Sequence, residues 1–432
     1  MSNAINTNTE VASYDYIIAG AGGAGLSLLH YLMQCSSLVT KSILVIDKSF
    51  NKTNDRTWCF WNKDASVFEN LVQHRWNTIS IHAQGFDKEL PTAPFSYKMI
   101  QGIDFYNSIL HNAKSKSNIH FQEATIIDIR LDITALDTSS ASSTASSKVN
   151  STTVNSNMRG KVEWEGGAAI GAYVFSSLLP FQMNQLNAAA AYSNSLQSGT
   201  SSNNKAPFLW QHFKGRVVQF EKPVFNKAIA KLMDFNVPQQ GATAFMYQLP
   251  LNDKEALVEY TIFSENVLGI AEYDKVLDAY LAKEFPGATY TTTHQEIGAI
   301  PMTQIELAST QAPIYTIGAL GAAIKASTGY AFQFIQEQCK NIVDQLDKGL
   351  PIQTKVHNTR HGFYDAVLLD VLFHHKMEGA EIFKRIFAKN KAATVFKFLS
   401  NTSSLLEDIQ IMRSLPTSIF LLAAIKVLLR RS

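Results

Sequence analysis

The sequence predicts an α/β protein with a Rossmann-like dinucleotide-binding domain, an inserted antiparallel β-sheet domain and a helical C-terminal region. Three observations support this fold class. A strand, a glycine-rich loop, a helix and a second strand ending in an acid follow one another between residues 14 and 47. Extended segments separated by turns run from residue 208 to residue 263. Residues 351–432 carry apolar side chains at helical spacing.

The glycine-rich loop is the most informative motif. Residues 14–19 (YDYIIA) have the composition of a short buried strand, residues 20–25 (GAGGAG) fit G-x-G-x-x-G, and residues 42–47 (SILVID) form the second strand. The first glycine of such a loop permits a tight turn, the second lets the backbone approach a pyrophosphate, and the third lets helix and strand pack closely. The helix N-terminus offers N–H groups to the phosphates, and the acid suits the ribose hydroxyls. The predicted dinucleotide contacts are Gly20, Gly22, Gly23, Ala24, Gly25 and Asp47.

The glycine loop does not by itself distinguish FAD from NAD. We expect FAD, because the motif stands at the beginning of a long chain with no catalytic domain before it. Arg56 is a further candidate contact, since it lies in the aromatic segment 54–61 (NDRTWCFW). That segment either lines a cofactor or substrate cavity, where conjugated ligands pack on rings, or fills the edge of a core.

Composition excludes several classes of protein. The formal net charge is +2 and no polybasic run precedes the C-terminus, so we expect no nucleic-acid partner. The three cysteines lie far apart without metal-ligand spacing, which predicts no metal site and a reduced, cytoplasmic chain. The N-terminus lacks the pattern of a signal peptide. No uninterrupted apolar run reaches about 18 residues, so we expect no spanning helix. The oligomeric state stays open.

We expect a dinucleotide-binding domain built from three stretches of chain. These are residues 13–75, 98–192 and 291–350, with a Ser-rich insertion at 137–157. The antiparallel substrate domain comprises residues 76–97 and 207–290, and residues 351–432 form the C-terminal helical region. The Ser-rich insertion and residues 193–205 are low in complexity and are interpreted as exposed loops without a functional role.

Taken together, the motifs resemble those of the bacterial-type lycopene β-cyclases, FAD-dependent enzymes that close the ends of a linear carotenoid into rings. The resemblance covers nearly the whole chain. Beyond the glycine loop and NDRTWCFW, the matching segments are QHFKGRVV (211–218), MDF (233–235), YQLP (247–250), LVEYTIFS (257–264), IPMT (300–303) and IGALGAAIKASTGYAFQFIQ (317–336). Ala326 stands where many relatives have proline before STGY. Ala319 follows Gly318 where many flavin enzymes have an aspartate, so the ribityl contact must come from elsewhere.

The resemblance implies a flavin hydroxylase-type fold and a cyclisation without net redox change. A proton adds to C2 of a lycopene end, the neighbouring double bond attacks the C1 cation, and loss of a proton from C6 leaves a β-ring. The product is β-carotene, formed via γ-carotene, and the enzyme is an isomerase (an intramolecular lyase). It requires reduced FAD, with NAD(P)H as the expected reductant. An FAD-dependent monooxygenase or isoprenoid reductase is the alternative. Whether one or both ends react stays open.

The resemblance also implies which residues form the site. Glu259, within LVEYTIFS, is expected to be the general acid and is also a candidate for the proton acceptor. Alternation along the strand by itself favours a solvent-facing position. Asp234 is a second candidate carboxylate, or else a turn or cap residue. The turn that precedes a helix within 317–336 is expected to hold the flavin through backbone N–H groups, and Lys325 either adds charge there or is an exposed loop lysine. The expected contacts in this region are Gly318, Lys325, Ser327, Thr328 and Gly329.

A substrate dissolved in the bilayer requires contact with a membrane surface. Residues 418–429 (SIFLLAAIKVLL), followed by Arg430 and Arg431, are too short to span a membrane and suit an interfacial helix. The alternative is a helix docked on the core. We therefore expect a cytoplasmic protein that is peripheral at the inner face of the membrane.

Overall fold

A computed structural model gives the architecture of residues 11–132, 158–178, 207–305 and 312–431. The two Ser-rich stretches of the sequence lie outside these described residues. Two large sheets and one small sheet are connected and covered by helices. The fold class is α/β with a Rossmann-like sheet, as expected.

The first sheet is the dinucleotide-binding sheet. Its parallel strands form because buried Ile, Val and Leu runs need cover on both faces, which helices supply. The order is β8 (Ile119–Glu123), β2 (Ile43–Asp47), β1 (Ala12–Ala19), β11 (Gly167–Ser176), β10 (Arg159–Trp164) and β9 (Ile126–Asp132), with β17 (Ile314–Thr316) beside the end of β11. Strand β10 pairs antiparallel with both β9 and β11, and the other pairs are parallel. Helices α1 (Gly23–Gln34), α2 (Gly102–Lys114) and α4 (Phe332–Asp347) pack on this sheet.

The second sheet is almost entirely antiparallel. Its order is β16 (Tyr290–Thr303), β12 (Phe208–Phe220), β15 (Glu255–Ser264), β14 (Thr243–Pro250), β13 (Ile229–Asp234), β5 (Thr78–Ala83) and β6 (Phe86–Pro91). Only the β5–β13 pair is parallel. Strand β16 pairs with β12 along its whole length, so this sheet continues to Thr303 and past the boundary expected at residue 290.

Side chains alternate across the second sheet and give it two different faces. One face packs on α3 (Ile270–Glu284) and includes Val258, Tyr260 and Ile262 of β15. The opposite face carries Leu257, Glu259 and Phe263 and looks toward the first sheet and the C-terminal helices. We call these the helix face and the cleft face.

A third, small sheet joins the two larger ones. It consists of β3 (Thr57–Asn62), β7 (Ser96–Gln101) and β4 (His74–Trp76). The C-terminal helices are α5 (Thr359–Phe373), α6 (Gly379–Lys389), α7 (Ala392–Leu399), α8 (Leu405–Met412) and α9 (Thr417–Arg431), and they complete the largest apolar core. None of the helices in the described ranges is long and apolar enough to cross a membrane.

Candidate functional site

A cleft of about 660 Å³ separates the first sheet from the cleft face of the second. The glycine loop, the end of β2 and the start of β3 line one side, and β12, β15 and β16 line the other. In α/β sheets ligands bind beyond the carboxyl ends of the parallel strands, which is where this cleft lies. Its volume is typical of ligand sites.

The glycine loop has the geometry of a dinucleotide cradle. Gly20 adopts a φ of +102°, and a Cβ on Gly25 would lie 1.9 Å from the Gly20 carbonyl oxygen, so helix and turn meet only because both are glycine. A Cβ on Gly22 would meet nothing within 4 Å, which leaves room for a ligand. Gly22 caps α1 without any side-chain hydrogen bond. The helix therefore presents free N–H groups and its positive end to the cleft, as a diphosphate requires.

Asp47 supports the glycine loop as well as facing the cleft. Its Oδ2 accepts a hydrogen bond of 2.6 Å from the Ala21 N–H. Its Oδ1 accepts hydrogen bonds of 3.0 Å from the Ser49 N–H and the Lys52 ammonium group. The carboxylate thus fixes the loop in place and remains at the position expected for a ribose contact.

Two glycines of the turn before α4 bring that segment to the cleft. Gly318 and Gly329 each adopt a φ of +70°. A Cβ on Gly318 would lie 2.7 Å from the Ala24 Cβ, and one on Gly329 would lie 2.0 Å from Gln211 Oε1, so larger residues cannot be accommodated. Helix α4 begins here with no side-chain cap, and its first residues line the cleft. Its N–H groups are therefore available to a ligand.

Lys325, Ser327 and Thr328 do not line the cleft, although the sequence grouped them with the cofactor contacts. Lys325 is fully buried and forms a 2.7 Å ion pair with Asp365 of α5. The Ser327 hydroxyl donates a 2.7 Å hydrogen bond to the same carboxylate. The lysine charge is therefore neutralised within the core and anchors the turn to the C-terminal helices.

Arg56 lines the cleft at the start of β3. Its backbone carbonyl accepts a 2.8 Å hydrogen bond from the Gly102 N–H, which fixes the segment against α2. Its half-exposed guanidinium group pairs with Asp55 at 3.2 Å. Trp58 and Cys59 of the same segment also line the cleft.

Glu259 lies in the middle of the cleft face and is buried. Thr261 donates a 2.9 Å hydrogen bond to its Oε1, and it forms no salt bridge with any described residue. Burial, followed by the neighbouring Glu296 carboxylate, raises the pKa of Glu259 well above its usual range. Both causes favour the protonated form of this carboxyl group.

Glu296 is the second carboxyl group in the cleft, and sequence reasoning missed it. Glu259 of β15 and Glu296 of β16 both pair with Gly215 of β12 and point from the same face. Burial raises the pKa of Glu296 to about 7, although hydrogen bonds with Thr57 and Glu259 and the charge of Arg56 lower it. The segment HQEIGAIPMT contained a weak signal, because Glu296 stands in an extended run just before the IPMT motif.

Asp234, the expected second carboxylate, lies elsewhere. It is buried on the helix face, where it accepts hydrogen bonds from the Tyr280 hydroxyl at 3.0 Å and from Lys231 at 3.3 Å. It is not among the residues that line the cleft. The structure therefore does not bring Asp234 together with Glu259.

A scan against models of protein families decides the family. The model described as "Lycopene cyclase protein" matches residues 15–424. The chain belongs to the lycopene cyclase family. A search of curated proteins finds no match.

Solved structures resemble this lycopene cyclase family member in fold. A geranylgeranyl bacteriochlorophyll reductase-like protein from Thermoplasma acidophilum has a TM-score of 0.56 at 11% identity, covering 95% of this chain and 98% of its own. The p-nitrophenol 4-monooxygenase PnpA from Pseudomonas putida has a TM-score of 0.53 at 11% identity, with coverage of 95% and 98%. A variant of HpxO from Klebsiella pneumoniae, complexed with FAD, has a TM-score of 0.50 at 11% identity, with coverage of 94% and 98%.

Aromatic and apolar side chains surround the two carboxyl groups of this lycopene cyclase family member. Tyr97, Tyr247 and Tyr330 line the cleft beside Leu249 and Leu257. Burial raises the pKa of all three tyrosines, that of Tyr330 to about 12, so they stay neutral. Neutral rings attract cations through their faces, and the apolar walls accept hydrocarbon. No cluster of possible metal ligands occurs among the described residues.

The C-terminal helices expose an apolar surface. Ala423 and Val427 of α9 are buried against the core, so this helix is docked. On the other side of α9, and along α8, large apolar side chains are exposed. These are Leu405, Leu406, Ile409, Met412, Leu421, Leu422, Ile425, Leu428 and Leu429.

Proposed function

We propose that the protein is a lycopene β-cyclase, an isomerase that converts linear carotenoid ends into β-rings without net oxidation or reduction. The family match supports a carotenoid cyclase. The reaction protonates C2 of the end group, forms the bond from C6 to C1, and removes the proton from C6. The expected product is β-carotene, formed via γ-carotene.

One observation carries this proposal. The carboxyl group of Glu259, which is buried and forms no salt bridge with any described residue, faces an apolar and aromatic cleft next to the dinucleotide cradle. Protonating an alkene in a dry site requires an acid that still carries its proton when the substrate binds, and burial without a cationic partner favours that protonated form. In a monooxygenase or reductase, by contrast, the flavin supplies the reactive species.

FAD is the cofactor that the cleft residues fit. The glycine loop and the N-terminus of α1 would hold the diphosphate, Asp47 the ribose, and the turn from Gly318 with the start of α4 the flavin end. Bound in its reduced form, FAD supplies negative charge that stabilises a neighbouring carbocation. We propose NAD(P)H as the source of the reducing equivalents.

Other cleft residues are suited to stabilise the carbocation that forms after proton transfer. Tyr97, Tyr247 and Tyr330 present ring systems that stabilise positive charge without forming bonds to it. Leu249 and Leu257 exclude water, which would otherwise trap the cation as an alcohol. The same walls bind the hydrocarbon through apolar contact.

We also propose that the exposed apolar face of α8 and α9 lies on the inner face of the cytoplasmic membrane. Contiguous exposed apolar area on a protein marks an interaction surface. A bilayer is the occupant that fits, because the proposed substrate is a hydrocarbon dissolved in it and because helices with one docked and one exposed apolar side bind at the interface.

Expression of the chain in lycopene-producing cells tests this function. We expect lycopene to be replaced by a product of the same mass with β-rings. Unchanged lycopene, with folded and FAD-containing protein present, would contradict the proposal. A product of altered mass would instead indicate a monooxygenase or reductase.

A further inference from the structure

The structure shows a pair of carboxyl groups built around a glycine. Gly215 of β12 pairs with Glu259 on one side and with Glu296 on the other. The two glutamates are two strands apart, about 10 Å at Cα from the spacing of strands. Their side chains extend toward each other above Gly215, where a Cβ would lie 3.1 Å from Glu296 Cγ and 3.4 Å from Glu259 Cβ. Because Gly215 has no side chain, the two carboxyl groups have space above it.

The surroundings of the pair allow one negative charge but not two. Glu259 is 9% exposed and Glu296 is 5% exposed. No described lysine or arginine forms a salt bridge with either, and Oε2 of Glu296 is buried without a hydrogen-bond partner. Without a neighbouring cation, two close carboxylates in such a site are not both ionised, so in the resting protein they share one proton.

We infer that Glu296 is the catalytic base that removes the C6 proton and returns it to Glu259 across the shared hydrogen bond. This inference rests on the proposed cyclisation. The Glu259 O–H bond breaks as the C2–H bond forms, and the positive charge of the new substrate cation offsets the second negative charge of the pair. The C1–C6 bond then closes the ring. The C6–H bond then breaks as Glu296 gains the proton, and transfer to Glu259 restores the starting state. One proton enters the substrate and one leaves it, so no external acid or base is consumed.

The unpartnered oxygen of Glu296 is the feature that supports the role of base. A buried acceptor without a donor is costly to keep in a folded protein. Oε2 is such an acceptor, and Glu296 lines the cleft where the substrate end must lie. A carboxylate that only oriented Glu259 would need no free oxygen there.

The test compares ring formation by purified holoenzyme variants supplied with lycopene and reduced FAD. The variants are Glu296→Gln, Glu296→Asp and Glu259→Gln. The matched control is Glu255→Gln on the same strand, outside the cleft, where the side chain accepts a hydrogen bond from Asn252. We expect Glu296→Gln to lose about 100-fold or more of the rate, as removal of an acid–base group does. Glu296→Asp should recover part of it, and Glu255→Gln should match the wild type.

A pH profile separates a base from a structural residue. The titratable and charged groups that face the pair from neighbouring elements are Arg56, Cys59, Tyr97, Tyr247 and Tyr330. Burial raises the pKa of Cys59 and of the tyrosines far above neutrality. The wild-type rate should therefore rise through about pH 7 as Glu296 ionises. That rise should be absent from the residual activity of Glu296→Gln.

The outcomes separate this inference from the function on which it rests. If the wild type does not cyclise lycopene, the proposed function fails. If the wild type is active and Glu296→Gln keeps its rate and pH profile, Glu259 acts alone and the inference is overturned. Loss of FAD binding in Glu296→Gln, with no recovery in Glu296→Asp, would assign Glu296 a structural role and also overturn it.

Discussion

The two faces of the second sheet carry similar carboxylates with different partners. On the helix face, Lys214 and Arg216 donate hydrogen bonds to Asp274 of α3, and Asp234 accepts one from Lys231. On the cleft face, Glu259 and Glu296 form no salt bridge with described residues and share the space above Gly215. Paired charges stabilise the fold, whereas buried unpaired carboxyl groups cost stability. Groups retained at such a cost mark a functional site.

The largest expected effect is the loss of cyclisation in Glu259→Gln. The amide cannot donate a proton to an alkene, so ring formation should fall by about 100-fold to 10,000-fold. Asp234→Asn makes the same chemical change on the helix face and should retain wild-type turnover in its folded fraction. Chromatography of the carotenoid products measures both. Equal losses in the two variants would remove the functional difference between the faces.

A smaller loss is expected for Gly215→Ala, which leaves both charges intact. The new Cβ would lie 3.0 Å from Leu257 Cδ1 and 3.1 Å from Glu296 Cγ, so the carboxyl pair must move by a few tenths of an ångström. Misplacement on this scale should lower the rate by roughly 10-fold while FAD binding is retained. Rates unaffected by this substitution would show that the spacing of the pair does not matter.

Stability should change in opposite directions on the two faces. Because the folded pKa of Glu259 is raised, its stabilising contribution is present below the unfolded pKa and is lost as the pH rises. Glu259→Gln should therefore raise the free energy of unfolding at pH 8 by about 1–3 kcal/mol, with no gain near pH 4. Asp234→Asn breaks its pairing with Lys231 and should lower that free energy by about 1–3 kcal/mol. Thermal unfolding at both pH values checks the signs.

The smallest predicted effect on the purified reaction concerns the membrane. Leu406→Glu with Leu422→Glu places charge on the exposed sides of α8 and α9, where both leucines are exposed. Binding to anionic liposomes should fall, while turnover of detergent-dispersed lycopene should not. Point substitutions are preferable to deleting residues 417–432, because Ala423 and Val427 belong to the core. Unchanged flotation with liposomes would contradict the membrane proposal.

The sequence predicted the features whose residues lie close together along the chain. The strand, glycine loop, helix and terminal acid are neighbours in sequence, and their roles follow from turn geometry. Glu296 could not be found in this way, because its partner Glu259 is brought to it through β12, which lies far away in the chain. Glu296 contacts Glu259 only because their two strands pair with β12, and no single segment of the sequence shows this.

Asp234 and Lys325 show why position in the sequence alone did not predict which side chains reach the cleft. Strand β13 contains an irregularity between Lys231 and Asp234, and the adjacent Leu232 and Met233 both enter the core on the cleft side. Alternation therefore did not predict the face of Asp234. Lys325 belongs to a segment expected at the flavin, but its partner Asp365 comes from α5, which the sequence described only as helical.

The most direct test of the central claim is an anaerobic reaction of the purified protein with pre-reduced FAD and an excess of lycopene. The cleft carboxyl groups are proposed to move protons while the cofactor remains unchanged. We therefore expect several β-rings per bound FAD, a product of unchanged mass, and no oxidised flavin on the protein after anaerobic extraction of the carotenoids. Oxidation of one flavin for each product formed, or a product of altered mass, would contradict the account.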